Sequence, residues 1–544
     1  MRKLLFLLFI TIALSSCRKD FEFEPNTGGL SFSKDTVYLD TVFTNIGSST
    51  YRLKVYNKSD KDISIPKVQL GKGINSKYRL MIDGMTGDAG AQGKIFSNVE
   101  LLAKDSLFIF IEVTSDVASA NPTDFLYTDQ IEFTNVTGTP QTVELVTLIQ
   151  DAYFIRPDRT QNADNSYTYE NISLGLDTDG NEIKLIGSNL SETDPVNGDE
   201  LHWTNAKPYV VYGNALVPNG KTLVVDAGAR VHFHANSSLI VNQNASIQVN
   251  GGNPPANNPE NITNEVIFEG DRLEPSFANV PGQWGSIIIL SELNTNTINH
   301  LTIKNATVGL LAQKRLAVDE DDTHQPKVTI TSSQIYNCSN VGILGRDAQI
   351  TGSNLVVNYC GEASLAATLG GSYNFTHCTF NNNWNSSSQV AVLLSNYLET
   401  STALYVSDLN VANFNNCIIY GSNQIEMFLD KISPTLLPSS INVLFNYKFN
   451  HCLIKFNNIN NQFTNNPMYN FSDTSPTSNY TSCYIATNSS TFNPKFKNVS
   501  KNKLWLNEAW NTAMQNDPLL SNFNDIVGNS RSSNVALGAY QFVP

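Results

Sequence analysis

Apolar residues recur along this chain in two rhythms, and the change between them divides it. From Leu30 to Ile155 the runs are short and alternating, as in Tyr51-Arg52-Leu53-Lys54-Val55-Tyr56, Leu107-Phe108-Ile109-Phe110-Ile111 and Val143-Glu144-Leu145-Val146. A period of two puts every second side chain on one face of a strand. Clusters such as Asn57-Lys58-Ser59-Asp60 separate the runs and supply turns. The pattern predicts a β-sandwich over 30–155. Residues 156–200 are rich in Asn, Asp and Ser, which predicts a linker with a hairpin over Asp177-Thr178-Asp179-Gly180.

Beyond residue 200 the rhythm is a repeat. Cys residues stand at 338, 360, 378, 417, 452 and 483, separated by 22, 18, 39, 35 and 31 residues. Three places before each lies a large apolar side chain: Ile335, Val357, Phe375, Phe414, Phe449 and Tyr480. Immediately before each come Asn337, Tyr359, His377, Asn416, His451 and Ser482, a position rich in types that tolerate left-handed backbone. Two places after the last four come Phe380, Ile419, Ile454 and Ile485. An inward residue, a two-residue bend and an inward Cys describe a strand turning a corner while its apolar face stays on one core. Strands stacked about 4.8 Å apart allow vertical disulfides, but side chains in a column point the same way, which favours free thiols packed as small hydrophobes.

Repeats of this length indicate a β-solenoid, and the chain resembles the right-handed parallel β-helix of the pectate-lyase-like superfamily. The stretch from Val217-Pro218-Asn219-Gly220 to Val231 is similar to that family's opening coils, and Val266-Ile267-Phe268 and Gln283-Trp284-Gly285-Ser286-Ile287 continue it, with Trp284 in a structural place. Asp517-Pro518-Leu519 and Leu537-Gly538-Ala539-Tyr540 resemble the tail that closes such helices in secreted Bacteroidetes proteins. The 30–155 segment resembles the immunoglobulin-like modules that space bacterial surface proteins from their anchors. The expected fold is therefore all-β: an immunoglobulin-like β-sandwich at 30–155, a right-handed parallel β-helix at 201–500 and a closing segment at 501–544.

The amino terminus adds a compartment. Arg2 and Lys3 precede Leu4 to Leu14, a run apolar but for Thr11 and too short for a bilayer that needs about 20 residues. Its end, Leu14-Ser15-Ser16-Cys17, resembles the lipobox of bacterial lipoproteins, which implies a signal over 1–17, acylation at Cys17 and a tether over 18–29. Arg18-Lys19-Asp20-Phe21-Glu22-Phe23-Glu24 resembles the export signal of Bacteroidetes surface lipoproteins. The expected location is the outer membrane, lipid-anchored and surface-exposed.

Composition narrows the partners. The 544 residues carry 35 basic and 49 acidic side chains, a net charge of −14, and no basic cluster of the kind a phosphate backbone needs. Nucleic acid is excluded as a partner; the membrane, a polysaccharide or a surface protein remains.

Candidate chemistry is sparse. Lys314, Arg315, Asp319, Glu320, Asp321 and Asp322 share one insertion, which offers a base and carboxylates for calcium. A solvated loop tip is the plainer reading. The Asp321-Asp322 pair resembles one piece of the polygalacturonase site, whose other motifs are missing. Asp177, Asp179 and Glu182 suggest half a calcium loop, but the spacing fits a hairpin turn better. His232 and His234 alternate with Val231 and Phe233 and are expected on a solvent face. Trp384, in Asn381-Asn382-Asn383-Trp384-Asn385, could offer a sugar-stacking platform or cover a coil edge. Two function classes follow: a non-catalytic surface that binds glycan or protein, with no cofactor or at most calcium, and a surface polysaccharide lyase or hydrolase on the same fold.

Overall fold

The computed structural model describes residues 22–121, 125–176, 181–256, 258–314, 324–401, 403–488, 490, 492–507, 524–531 and 536–542. The chain is all-β and divides into two compact units, Met1–Asp151 and Ala152–Pro544.

In the first unit two mainly antiparallel sheets share one core. One runs in the order Glu24–Pro25, Ile63–Leu70, Leu126–Phe133, Gln141–Gln150, Thr36–Phe43, with Ile95–Leu101 also on Ile63–Leu70. The other runs Ser31–Phe32, Tyr51–Tyr56, Ser106–Val113, Tyr78–Ile82. The alternation read from the sequence sorts the faces: Leu107, Ile109, Ile111 and Val113 are buried while Phe108 and Phe110 face outward. Asn57 is buried at the turn, where its Nδ2 donates to the carbonyls of Lys61 at 2.7 Å and Leu102 at 3.0 Å.

The second unit is built on two long sheets in which the pairings are almost all parallel. Among the described residues eleven strands, from Tyr153–Ile155 to Tyr484–Ala486, make one; eighteen, from Asn171–Leu176 to Tyr480–Thr481, make the other. The chain visits the sheets in turn and lays each pass on the last. Ile335 lies beside Val357, Val357 beside Phe380, Phe380 beside Ile419, Ile419 beside Ile454, and Ile454 beside Ile485. Like residues therefore stack on like. On the second sheet Phe375, Phe414, Phe449 and Tyr480 form a column of rings with centroids 5.4, 4.8 and 5.6 Å apart. Trp284 is buried in the same core, stacked 4.3 Å from Phe233, with Nε1 donating to the Lys304 carbonyl at 2.9 Å.

The stretch expected as a linker, 156–200, is folded into this unit. Tyr153–Ile155 pairs in parallel with Tyr209–Val211, Gly187–Asn189 pairs with Asn214–Leu216, and Ile172 is fully buried. Its polar composition reflects exposed hairpins, such as Arg159–Gln161 on Tyr167–Tyr169, rather than a free tether.

The corners confirm the bend in detail. Asn337, Tyr359, His377, Asn416, His451 and Ser482 all have positive φ, between 50° and 59°. The Cys that follow are free thiols, five buried and Cys483 half-buried. They do not form one ladder, however. Cys338 and Cys360 are register partners at the corner that leaves the eleven-stranded sheet. Cys378, Cys417, Cys452 and Cys483 lie at the corner that enters it, where Sγ of the last three sits 3.7, 3.3 and 3.4 Å from the carbonyls of Phe375, Phe414 and Phe449 on the preceding pass.

The C-terminal residues return along the eleven-stranded sheet, on the face away from the core. Leu504, Ile526, Ala539 and Tyr540 pack on Val356, and Leu537 packs with Ile418 and Leu453. Gly538, at φ 78°, allows the close approach: a Cβ there would stand 2.5 Å from Thr379 Oγ1. Arg531 ties the segment down by donating to the carbonyls of Ala536, Gly538 and Ala539. Asp517, Pro518 and Leu519 lie outside the described residues.

Candidate functional site

The sequence-based candidates do not converge. Arg315, Asp319, Glu320, Asp321 and Asp322 lie outside the described residues, as do Cys17, Asp177 and Asp179. Lys314 Nζ stands 3.5 Å from the buried Asp347 carboxylate, and Glu182 pairs with Lys184 at 2.9 Å. Trp384 is half-buried with Tyr359 edge-on to its ring at 6.2 Å. Among the described residues no three His, Cys, Asp or Glu side chains gather as a metal would require.

The two histidines part company. His234 is exposed, pairs with Asp271 at 2.7 Å and stacks on Tyr212. His232, expected to face solvent, is only 5% exposed. Glu269 of the next pass lies 3.8 Å from its Nδ1 and is itself held by Lys304 at 2.5 Å, so outward on the sheet is here not outward to water. Burial holds the His232 imidazole below its usual range.

A groove that the sequence did not reveal crosses the outer face of the eighteen-stranded sheet. Its volume is about 800 Å³. The strands Val341–Ser353, Ala363–Thr376, Val390–Ser395 and Met427–Asp430 lie side by side in register, with Leu344 beside Ala366, Ala366 beside Leu393 and Leu393 beside Phe428. That row, with Val341, Ala363 and Val390, makes an apolar floor on the side away from the core. Phe428 is 37% exposed, and Phe463 meets it edge-on at 6.3 Å. Around the floor stand Gln389, Asn423, Gln424, Asn457, Asn458 and Gln462. Several are braced: Asn423 Nδ2 donates to the Gln389 carbonyl at 2.7 Å, and Asn457 Nδ2 donates to Gln424 Oε1 at 2.8 Å. An apolar floor with fixed amides at its edge suits ligands that present ring faces and hydroxyls together.

Glu426 shapes one wall from beneath. It is fully buried, and its Oε1 accepts from the Asn423 backbone N–H at 2.6 Å, which holds the turn that presents Asn423 and Gln424. Oε2 and the Oε1 of Gln389 are both buried acceptors without a partner among the described residues. Burial pushes the Glu426 carboxyl up to about 8, with Asn423, Lys455, Ala391 and Gln389 opposing. The folded value lies above the unfolded one near 4.5, so this stabilisation is complete below about pH 4.5 and is lost as pH rises through about 8. Replacing Glu426 with Gln should remove that fall, making the variant more stable than the parent at pH 8 by on the order of a few kcal/mol. Melting curves from pH 5 to about 8 would check it, and parallel curves for the two proteins would contradict it.

Only one faint sequence signal pointed here. Met427-Phe428-Leu429-Asp430 alternates as a strand should, but nothing in it says that Phe428 is left uncovered.

No family model matches the sequence, and no curated protein matches it significantly. Among solved structures it is similar to a family 123 glycoside hydrolase from Clostridium perfringens, at 10% identity over 24% of this chain and 30% of that one, with a TM-score of 0.17. It is similar to a Bacteroides ovatus GH5 xyloglucanase at 9% identity, over 62% of this chain and 72% of that one, with a TM-score of 0.14. A protein of unknown function from Porphyromonas gingivalis matches at 13% identity over 25% and 56%, with a TM-score of 0.15. The chain thus spans less than a third of the first of these, and likenesses with TM-scores this low carry no argument about its fold or activity.

Proposed function

We propose that this chain is a lipid-anchored protein of the outer cell surface, acylated at Cys17. In this reading an immunoglobulin-like β-sandwich spaces a right-handed parallel β-helix from the membrane, and the helix binds glycan chains without cleaving them. The observation that carries the reading is the groove at Phe428: an apolar floor on which a sugar ring can lie, bordered by amides that can both donate to and accept from hydroxyls. The repeat of like on like along the parallel sheets supports the β-helix. The sequence motif at Leu14-Ser15-Ser16-Cys17 supports the anchor, since two or more acyl chains hold a protein to a bilayer durably.

A glycan array tests the binding. The parent should retain one or more neutral glycans, and Phe428→Ala should weaken retention about tenfold through loss of the ring contact. Equal retention by both proteins, or none by either, would sink the groove as a glycan site. A parallel assay for new reducing ends tests the second half of the reading, and their release would make the protein an enzyme of the lyase or hydrolase class. For the anchor, Cys17→Ser should move the protein from the detergent phase to the aqueous phase of a partition experiment. If it stays with the detergent, the lipobox is not what holds it.

A further inference from the structure

A second cavity lies on the other long sheet, between its outer face and the returning C-terminal segment. It measures about 230 Å³, room for a single small polar molecule. Three passes of the sheet build it jointly with distant residues near the C-terminus, from Glu265, Gln334, Tyr336, Asn502, Trp505 and Tyr540.

Its polar groups are aimed and only half satisfied. Glu265 Oε1 accepts from Thr302 Oγ1 and from Gln334 Nε2 at 3.3 Å. The Gln334 amide is fixed in turn, since its Oε1 accepts from Asn502 Nδ2 at 3.2 Å and Asn502 Oδ1 accepts from Asn358 Nδ2 at 3.2 Å. This relay sets the plane of the Glu265 carboxyl and occupies one of its oxygens. The other oxygen, Oε2, has no partner among the described residues, and neither has the Tyr336 hydroxyl. Tyr336 and Tyr540 both lie within electrostatic reach of Glu265, so carboxyl and hydroxyls share one small space. Burial raises the pKa of Glu265, with Thr302, Gln334, Arg230 and Lys304 opposing. His300 at the rim is already engaged, with Nε2 2.7 Å from Asn253 Oδ1 and Nδ1 3.0 Å from Asn299 Oδ1. It acts as wall.

We infer that this cavity is a discrete binding site for a single neutral sugar residue, free or at a chain end, held by hydrogen bonds from its hydroxyls to Glu265 Oε2 and the Tyr336 hydroxyl. A hydroxyl can donate to the first and exchange roles with the second, which matches what the pocket leaves unmet. The site is separate from the groove at Phe428, being on a different sheet, and does not depend on it.

The test is calorimetric titration of the full chain with free neutral hexoses, N-acetylhexosamines and uronic acids, followed by short oligosaccharides that end in any sugar that binds. One neutral sugar should bind at one site per chain, and Glu265→Gln and Tyr336→Phe, each checked for an unchanged melting temperature, should weaken it at least tenfold. Equal affinity for the free sugar and the chain end places recognition in the ring alone, and tighter chain-end binding extends the site to the next residue; both support it. The inference is overturned if no sugar binds, if only uronic acids bind, or if both variants bind like the parent, meaning the cavity holds water alone. Binding lost in Phe428→Ala, with Glu265→Gln unaffected, would assign the sugar to the groove and overturn it equally.

Discussion

Replacing Cys452 with aspartate should destabilise the C-terminal unit by several kcal/mol, against about 1–2 kcal/mol for Cys452→Ala. The thiol is fully buried between the passes that carry Cys417 and Cys483, and burial already raises its pKa well above the ordinary range. A carboxylate there would meet carbonyl oxygens and sulfur, and among the described residues no cation acts on this thiol. Cys378→Asp makes the comparison informative. The buried Arg531 guanidinium lies within electrostatic reach of Cys378 and Cys417, so an aspartate at 378 gains a partial counter-charge and should lose less than one at 452. Chemical denaturation of the three variants would measure this, and equal losses for aspartate at the two positions would contradict the placement of Arg531. Damage should stay near the substituted pass, because stacked passes contact chiefly their neighbours.

Phe414→Ala should cost about 3–5 kcal/mol, the largest loss expected from any apolar truncation along the ring column. Phe414 has a ring on both sides, Phe375 at 5.4 Å and Phe449 at 4.8 Å, and Phe380 meets it edge-on at 6.0 Å from the facing sheet. Truncation opens a cavity that rigid parallel strands on either side cannot close. Tyr480, at the end of the column, has Phe449 at 5.6 Å and Phe471 at 4.6 Å beside it. A Phe414→Ala loss below about 1 kcal/mol would mean that the passes relax into the gap and that the column is not tightly packed.

The all-β character and the six left-handed corners were legible because each depends on neighbours in sequence. Alternation decides which side chains share a face, and a bend needs only a residue such as Asn337 or His377 that accepts positive φ. The groove and the cavity were not legible. Phe428 and Tyr336 sit in ordinary strand patterns, and whether an outward residue meets water depends on what the chain brings over it later. Tyr336 is roofed by a segment that starts more than 160 residues on, while Phe428 is left open. His232 shows the same dependence in reverse: its position in the strand is outward, but Glu269 and Lys304 cover it.

The cysteines draw the line most sharply. By itself the sequence determined that each would be an inward residue one place after a left-handed bend, since that follows from local backbone geometry and a period of two. It could not tell one corner from another, because the corner entering the eleven-stranded sheet and the corner leaving it use the same local signature. The spacing of 18 between Cys360 and Cys378, shorter than the 22 before it, marks the change of corner. Only the register could assign it: Val357 pairs with Phe380, not with Phe375, which stacks on Phe414 in the other sheet. Which residues form a column is settled by hydrogen bonds between passes far apart in the chain, and those bonds exist only once the passes have been laid on one another.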